Sequence, residues 1–406
     1  MTRLAPRRQF AFFAIARRPL ASILRLALVG CAGCLTASVI EISVGDNHVQ
    51  AEPISEKQET SMNIQTASFG KTKDGQEVQR FTITNRHGHS MSLTNFGATL
   101  LDVNVPDREG KLANVNLCFD TLDPYLQRHP YFGSTVGRFC NRIAKGQFTI
   151  DGKAYQVTLN AGKHHLHGGK VGFDQLLWSA KPYQNADHAG VVFTVLSPDG
   201  DEGYPGNVTA TADYCFSDSD ELTMTFTATS DAPTHVNLTN HSYWNLGGAG
   251  SGPALDHVVQ IDADQSLDVD SDLIPTGKLN ELTGSSLDFR KPMPIGRRIA
   301  EFAATKGYDH CYVVRGAAGT LRTAARVTDP KSGRVMEVLT TQPGMQLYTA
   351  NHLPGNEQSN GYGGHEAFCV ETQHYPNAPN IPSFPSTLLR PGRTMKETTV
   401  HRFSVQ

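Results

Sequence analysis

Residues 240–245, with the sequence NHSYWN, place six hydrogen-bonding or aromatic side chains in consecutive positions. The residues before them alternate between apolar and polar from Val236 onward, which is typical of a half-buried strand. Burying so many polar groups without partners costs free energy, so the cluster is suited to binding a hydroxyl-rich ligand. Within it, His241 is able to exchange a proton near neutral pH. The alternative interpretation is a hydrogen-bonded histidine at a strand end, with Trp244 in the core.

A carboxylate with comparable potential follows an apolar run late in the chain. Glu371 comes directly after the apolar residues 368–370, and an amide and an imidazole follow at Gln373 and His374. Partial burial of a carboxylate raises its pKa toward the range of a useful base. The alternative is an ordinary ion-pair partner. Together, His241 and Glu371 supply the imidazole and the carboxylate of a candidate acid/base pair.

Residues 137–143, GRFCNRI, contain two guanidinium groups and an amide close together. Arg138 and Arg142 each carry a fork of donors that matches two neighbouring oxygens, although a surface salt bridge is an equal alternative. Asn141 adds an amide to the same segment. Further hydrogen-bonding groups are found in the motifs YDH, with Asp309, and GMQLYTAN, with Gln346.

The motif HHLHGG at residues 164–169 raises the question of a metal site, because imidazoles are common metal ligands. Adjacent histidines of an extended segment point to opposite faces, and no HxxxH spacing or cysteine lies nearby. A catalytic metal needs three converging ligands, so the sequence predicts no metal. The two glycines favour a tight loop that a ligand approaches closely, with His167 beside it.

Composition limits the partners. The chain has 36 basic and 39 acidic residues in 406, which gives no reason to expect nucleic acid and favours a small neutral ligand. Cys31 and Cys34 lie in an apolar run, and the five later cysteines are irregularly spaced. We therefore expect no disulfide framework and no structural zinc, and most cysteines should be small buried side chains.

The N-terminus resembles an export signal. Six arginines precede or begin an apolar run at residues 26–40, no acidic residue occurs before Glu41, and VQA precedes Glu52. The run is too short to span a membrane comfortably. We predict an export segment at 1–51, an N-terminal extension at 52–67 and a periplasmic or secreted domain at 68–406. A twin-arginine route, a lipid anchor at Cys31, and a misassigned start before a cytoplasmic protein stay open.

The fold prediction follows from alternating apolar segments between turn signals. Segments 148–150 and 155–157 flank Asp151-Gly152, and segments 208–216 and 222–228 flank a second turn, so both pairs are predicted hairpins. Further strands are predicted at 191–196, 257–261, 312–314 and 335–340, and short helices at 124–129 and 295–302. No repeat or linker interrupts the pattern, which favours an all-β protein with one large β-sandwich domain.

Several of these motifs together resemble the aldose 1-epimerase, or galactose mutarotase, family from about residue 68 to residue 401. The stretches that carry the resemblance are GRFCNRIAKGQFTIDGKAYQV, LHGGKVGFDQLLW, NHSYWNLGG, LIPTGKL, YDHCYVV, PGMQLYTAN and ETQHYPNAPNIPSFPSTLLRPG. The resemblance implies a β-supersandwich with an open cleft. It also implies interconversion of the α and β anomers of free hexoses such as D-glucose and D-galactose, without metal or cofactor.

By position in these motifs, His241 would protonate the ring oxygen and Glu371 would remove the proton of the C1 hydroxyl. The residues implied to hold sugar hydroxyls are Asn141, Arg142, His167, Asp309 and Gln346, with Arg138, Ser242 and Tyr243 as further candidates. A monomer and a homodimer both stay open. The alternatives are a hexose-6-phosphate 1-epimerase, which would need a basic pocket, and a noncatalytic carbohydrate-binding domain, which would not need His241 and Glu371.

Overall fold

Antiparallel strands joined by tight turns make up most of the chain, as the alternating pattern predicts. The computed structural model describes residues 61–406, so the predicted export segment lies outside the described residues. The first strand, Asn63–Lys71, begins inside the predicted extension and continues into the predicted domain. Among the helices of residues 61–406, none is long and apolar enough to cross a membrane.

The large sheet has nine antiparallel strands. In spatial order they are Ser179–Gln184, His188–Ser197, Val208–Ser217, Glu221–Ser230, Met395–Val405, Arg334–Thr340, Arg322–Thr328, Val258–Ile261 and Met293–Pro294. Its two central hairpin strands alternate between buried and partly exposed residues along their length. This alternation gives the sheet one apolar face, which is buried against the rest of the molecule.

Two five-stranded sheets accompany the large one. The N-terminal sheet consists, in order, of Asn63–Lys71, Glu77–Thr84, Ser90–Thr94, Thr99–Pro106 and Leu112–Asn114. The site sheet, named for the residues it carries, consists of Pro275–Glu281, Ala263–Val269, Asp309–Val314, Gly344–Tyr348 and Cys369–Gln373. The last two strands of the site sheet pair so that Gln346 lies opposite Glu371.

Short elements complete the fold and connect the sheets. The two-stranded pairs are Arg142–Ile143 with His165–Leu166, Thr135–Val136 with Thr239–Asn240, Gln147–Ile150 with Lys153–Gln156, and Thr234–His235 with Leu388–Leu389. The 3₁₀ helices are Ala144–Gly146, Phe173–Gln175, Asp201–Gly203, Ala254–Asp256, Ile295–Phe302, Glu357–Ser359 and Ala378–Asn380. Two of these strand pairs lead directly into segments that line the candidate site.

The strand predictions are confirmed, and one helix prediction is wrong. Both predicted hairpins form, and Asp151 and Gly152 have the positive φ values that their turn requires, 51° and 81°. The segment 295–302 is helical, in the 3₁₀ form. Residues 124–126 form a turn, and residues 127–129 have no regular structure. Tyr125 packs against Phe69 of the first strand with ring centroids 6.3 Å apart, so tertiary contacts decide the local conformation.

The main hydrophobic core is shared by the three larger sheets. Phe81 of the N-terminal sheet packs against Phe193 of the large sheet, with ring centroids 5.9 Å apart. Tyr312 and Leu347 of the site sheet belong to the same buried cluster. Because one core holds all three sheets, the strands that carry the polar motifs are held rigidly relative to one another.

Candidate active site

An open cavity of about 480 Å³ lies where the segment after Thr239–Asn240, the site sheet and several loops meet. This size is typical of small-molecule sites. Its lining residues are Arg128, His129, Pro130, Tyr131, Asn141, Arg142, Leu166, His167, His241, Tyr243, Leu273, Asp309, Tyr348, His352, Leu353, Pro354, Gln358 and Glu371. Most of the site residues predicted from the sequence are therefore brought together in one place.

His241 directly follows the short strand Thr239–Asn240 and projects into the cavity. Two backbone hydrogen bonds fix its position. Its N–H donates to the carbonyl of Ser134 at 2.9 Å, and its carbonyl accepts from the N–H of Gly133 at 3.0 Å. The imidazole lies between two phenol rings that are nearly parallel to it. Tyr243 is 5.0 Å away at an interplanar angle of 14°, and Tyr131 is 5.8 Å away at 16°. This stack fixes the plane of the ring.

Glu371 lies in the middle of the edge strand Cys369–Gln373 of the site sheet. Its Oε1 is 3.8 Å from Nε2 of His241, and the two side chains are only 3% and 5% exposed. The Oε2 of Glu371 has no hydrogen-bond partner among the described residues. We call His241 and Glu371 the acid/base pair.

Burial sets the proton affinities of the acid/base pair. Burial, followed by the nearby charge of Asp309, raises the pKa of Glu371 to about 8, while Arg142 opposes this rise. Burial also lowers the pKa of His241 to about 4. At neutral pH the pair therefore holds one proton that can move between the two groups, with Glu371 protonated and His241 neutral. Moving that proton to His241 creates an imidazolium and a carboxylate without changing the total charge.

Beside the pair lies the polar cluster, defined as Arg142, Asp309 and Gln346. Arg142 Nη2 is 3.5 Å from Asp309 Oδ2, and Gln346 Nε2 donates to Asp309 Oδ1 at 2.5 Å. Asp309 and Arg142 line the cavity, whereas Gln346 reaches it through Asp309. The Oε1 of Gln346 is buried and has no hydrogen-bond partner within residues 61–406. The cluster presents donors and acceptors in a fixed arrangement, which suits a ligand with several hydroxyl groups.

The tautomer of His167 follows from one backbone contact. The N–H of Asn141 donates to Nδ1 of His167 at 3.2 Å, so this nitrogen is an acceptor. In the neutral ring, Nε2 must then carry the proton. Burial keeps His167 neutral, because it lowers the pKa of the imidazole well below its usual value. His167 consequently offers the cavity a hydrogen-bond donor.

The same contact bears on metal binding. His167, His241 and Glu371 offer ligand atoms that all lie within 4.8 Å of one another, close enough to hold an ion. A metal at Nε2 of His167 would have to displace its proton while Nδ1 still accepts from Asn141. Ligating histidines normally donate from their other nitrogen, so this donor set fits a metal poorly. That no metal is needed stays a prediction.

Three predicted residues do not line the cavity, namely Gln346, which contacts Asp309, and Arg138 and Ser242. Arg138 is buried, and its guanidinium donates to the carbonyls of Ser197, Pro198, Pro205 and Gly206. These bonds satisfy the donors that the prediction assigned to sugar hydroxyls. Ser242 points away from the cavity, as expected for the residue between His241 and Tyr243 on an extended segment.

The sequence analysis missed several lining residues. Tyr131 and Tyr348 contribute aromatic walls, and Arg128, His129 and Gln358 extend the cavity along one side. Tyr131 adopts a positive φ of 64°, a loop conformation that its local sequence does not indicate. Tyr348 lies within a motif singled out for its hydrogen-bonding groups, and the strand period places it on the same face as Gln346.

The fold and the cavity together define a β-sandwich protein with a buried imidazole and a buried carboxylate side by side in a polar cleft. Comparison with known proteins is consistent with this class. The family model described as aldose 1-epimerase matches residues 79–402. Galactose mutarotase of Bos taurus is 46% identical over 318 residues, covering 78% of this chain and 91% of that protein. Aldose 1-epimerase of Escherichia coli K12 is 34% identical over 340 residues, covering 81% and 96%.

A solved structure agrees. The crystal structure of galactose 1-epimerase from Lactobacillus acidophilus NCFM superposes with a TM-score of 0.76 at 29% identity, covering 85% of this chain and 99% of that one. The chain therefore belongs to the aldose 1-epimerase family, and it is an isomerase of the mutarotase type that acts on free aldoses. The predicted family, fold class and reaction type are confirmed.

Proposed function

We propose that this protein interconverts the α and β anomers of free hexoses such as D-glucose and D-galactose, with His241 as the acid and Glu371 as the base. The observation that carries the proposal is the 3.8 Å separation of Nε2 and Oε1 within one cavity. The ring oxygen and the C1 hydroxyl of a hexose are bonded to the same carbon. An acid and a base that serve them must therefore lie side by side, as this pair does.

The proposed reaction moves two protons and breaks one ring bond. As the carboxylate of Glu371 removes the proton from the C1 hydroxyl, the imidazolium of His241 delivers a proton to the ring oxygen, and the bond between C1 and the ring oxygen breaks. The open aldehyde rotates about the bond between C1 and C2. The reverse proton transfers then close the ring on the other face of the carbonyl, which yields the other anomer and restores both groups.

Sugar hydroxyls are assigned to the groups around the pair. The polar cluster offers donors and acceptors from Arg142 and Asp309, and Gln346 orients Asp309 through its hydrogen bond. His167 offers the Nε2 proton, and Asn141 lines the same wall. Fixed partners of this kind decide which oxygen of the sugar meets the acid and which meets the base.

The function is tested by following the optical rotation of fresh α-D-galactose and α-D-glucose with wild type, His241→Ala and Glu371→Ala. We expect wild type to accelerate equilibration over buffer and both variants to lose most of that acceleration. A wild-type protein that does not accelerate either sugar would refute the proposal.

The same assay separates the two alternatives. A 6-phosphate dianion favours a cluster of basic groups. The cavity lining has only Arg128 and Arg142 as basic side chains with a permanent charge, and Arg142 already contacts Asp309. We therefore expect little acceleration of α-D-glucose 6-phosphate. Faster turnover of the phosphate than of either free hexose would favour the first alternative, and sugar binding without turnover would favour the second.

Export remains part of the proposal and rests on the N-terminal sequence. The arginine-rich, apolar segment before Glu52 supports action on sugars outside the cytoplasm, before their uptake. Fractionation of cells that produce the full-length chain tests this. Recovery from the soluble cytosolic fraction alone would contradict it, and recovery from the membrane fraction that depends on Cys31 would favour the lipid anchor.

A further inference from the structure

A buried thiol contacts the side of His241 that faces away from Glu371. Sγ of Cys369 lies 3.7 Å from Nδ1 of His241, within the range of a hydrogen bond to sulfur. Cys369 has no exposed surface, in line with the expectation of a small buried side chain. Among the described residues, the thiol is the hydrogen-bond partner of Nδ1. The mechanism proposed above assigns it no role.

The contact follows from strand geometry. Cys369 and Glu371 are two residues apart on the strand Cys369–Gln373, so their side chains leave the same face. One face of this strand therefore contacts both nitrogens of a single imidazole, with Sγ near Nδ1 and Oε1 3.8 Å from Nε2. The tyrosine stack on both faces of the ring holds it in this plane.

We propose that Cys369 is a positioning residue, whose thiol holds Nδ1 of His241 so that Nε2 presents its proton to the ring oxygen of the sugar. This inference rests on the proposed role of His241 as the acid. A thiol is both a weak donor and a weak acceptor. Its sulfur can accept from Nδ1–H in the neutral ring, whose Nε2 is then free to take the proton of Glu371, and also in the imidazolium, so the ring keeps a partner throughout the reaction.

A neutral partner also suits the acid chemistry. A carboxylate at Nδ1 would stabilise the imidazolium, raise its pKa and make His241 a weaker acid. The thiol stays neutral, because burial and the nearby Glu371 raise the pKa of Cys369 well above its usual value. It orients the ring while leaving His241 easy to deprotonate.

Other groups around His241 have to be considered in any test that depends on pH. The titratable or charged groups near its ring are Glu371, His167, His129, Asp309, Tyr131, Tyr243 and Tyr348. Of these, Glu371 titrates at the opposite end of the pH range, and His167 is kept neutral by burial. Burial lowers the pKa of His129 to about 4 as well, so a change in the acidic limb is assigned to His241 when His129→Gln leaves that limb in place.

The test compares Cys369→Val, which fills a similar space without a hydrogen bond, with Cys369→Ser, which keeps a donor and an acceptor. We expect Cys369→Val to lower kcat about tenfold with KM nearly unchanged, as for the loss of one hydrogen bond to a charged group. The acidic limb of its kcat/KM profile should move to lower pH, because the imidazolium loses its acceptor. Cys369→Ser should retain kcat within about threefold.

Cys118→Val is the matched control, since Cys118 is also buried but does not line the cavity. Its kcat should equal that of wild type. If Cys369→Val keeps wild-type kcat, or if serine is the more damaging change, the thiol acts only in packing and the inference is overturned. If wild type itself is inactive, the proposed function fails instead, so the two failures are distinguishable.

A second measurement does not depend on any variant folding. Nitrogen-15 NMR of wild type labelled at histidine reports which ring nitrogen of His241 carries the proton at neutral pH. We expect Nδ1 to be protonated and Nε2 to be an acceptor, because Nε2 must be free to take the proton of Glu371. A proton on Nε2 in the neutral ring would overturn the inference.

Discussion

The acid/base pair and the polar cluster lie side by side in one cavity but are stabilised in opposite ways. In the polar cluster, Asp309 accepts from both Arg142 and Gln346, and the side chains of Arg142 and Asp309 are 19% and 16% exposed. In the acid/base pair, His241 and Glu371 are 5% and 3% exposed, and one carboxylate oxygen of Glu371 has no hydrogen-bond partner in the described part of the chain. Ion pairs and hydrogen bonds fix the side chains of the polar cluster. Burial without such partners shifts the pKa values of the acid/base pair, so that protons are transferred more readily.

The difference separates two roles. Groups whose hydrogen bonds are already satisfied hold the substrate with little change during the reaction, so their loss mainly weakens binding. Groups destabilised by burial change their protonation during the reaction, so their loss mainly lowers turnover. The following predictions test this division.

The largest effect is expected at the acid/base pair. Glu371→Gln keeps the shape of the side chain but removes the base, so kcat for α-D-galactose should fall by about 10²- to 10⁴-fold. The exposed Glu281→Gln is the control and should have wild-type kcat. Polarimetry at saturating sugar measures both. A fall of less than about threefold at Glu371 would show that the base lies elsewhere.

The pH profile should reflect the single exchangeable proton of the pair. Below about pH 4 His241 and Glu371 are both protonated and no base remains, while above about pH 8 the shared proton is lost and no acid remains. kcat/KM should therefore be bell-shaped, falling about tenfold per pH unit outside these limits. Measurement of kcat/KM from pH 3 to 10 tests this, and a flat profile through pH 8–10 would contradict it.

A smaller effect is expected at the polar cluster. Asp309→Asn removes the ion pair with Arg142 and should raise KM about tenfold with a smaller change in kcat. Because the charge of Asp309 helps to raise the pKa of Glu371, the basic limb should also move to lower pH. Initial-rate polarimetry over a range of sugar concentrations separates KM from kcat. If Asp309→Asn lowered kcat without raising KM, the polar cluster and the acid/base pair would not have separate roles.

The last prediction concerns the pH dependence of the free energy of unfolding, to which Glu371 contributes. The folded protein raises the pKa of Glu371 from the usual 4.5 to about 8, so the stability this group contributes is fully present below pH 4.5 and lost as pH rises through 8. Glu371→Gln removes this loss, so its stability relative to wild type should rise between pH 5 and pH 8. Thermal denaturation at both pH values measures it. A difference that shrinks as pH rises would contradict the assignment.

Several features of the site were predictable because they follow from local rules. His241 and Tyr243 share a face because the strand period is two, and the two hairpins follow from alternation and turn residues. The different positions of Arg138 and Arg142 are not predicted by such rules. Both lie in one short motif with the same donor groups, yet one binds backbone carbonyls in the interior and the other lines the cavity. Nothing in the spacing distinguishes them, because the partners of Arg138 lie about 60 residues further along the chain.

The sequence by itself determined the family and the all-β class, and it singled out His241 and Glu371 as candidate proton-transfer residues, because these inferences depend on residue type, period and motif order. Only the tertiary structure decided the distance between His241 and Glu371, the tyrosine stack, the tautomer of His167 and the contact of Cys369 with Nδ1. These features join segments more than 100 residues apart or depend on one backbone N–H. Burial then sets the pKa values, and burial is a property of the packed molecule rather than of any segment.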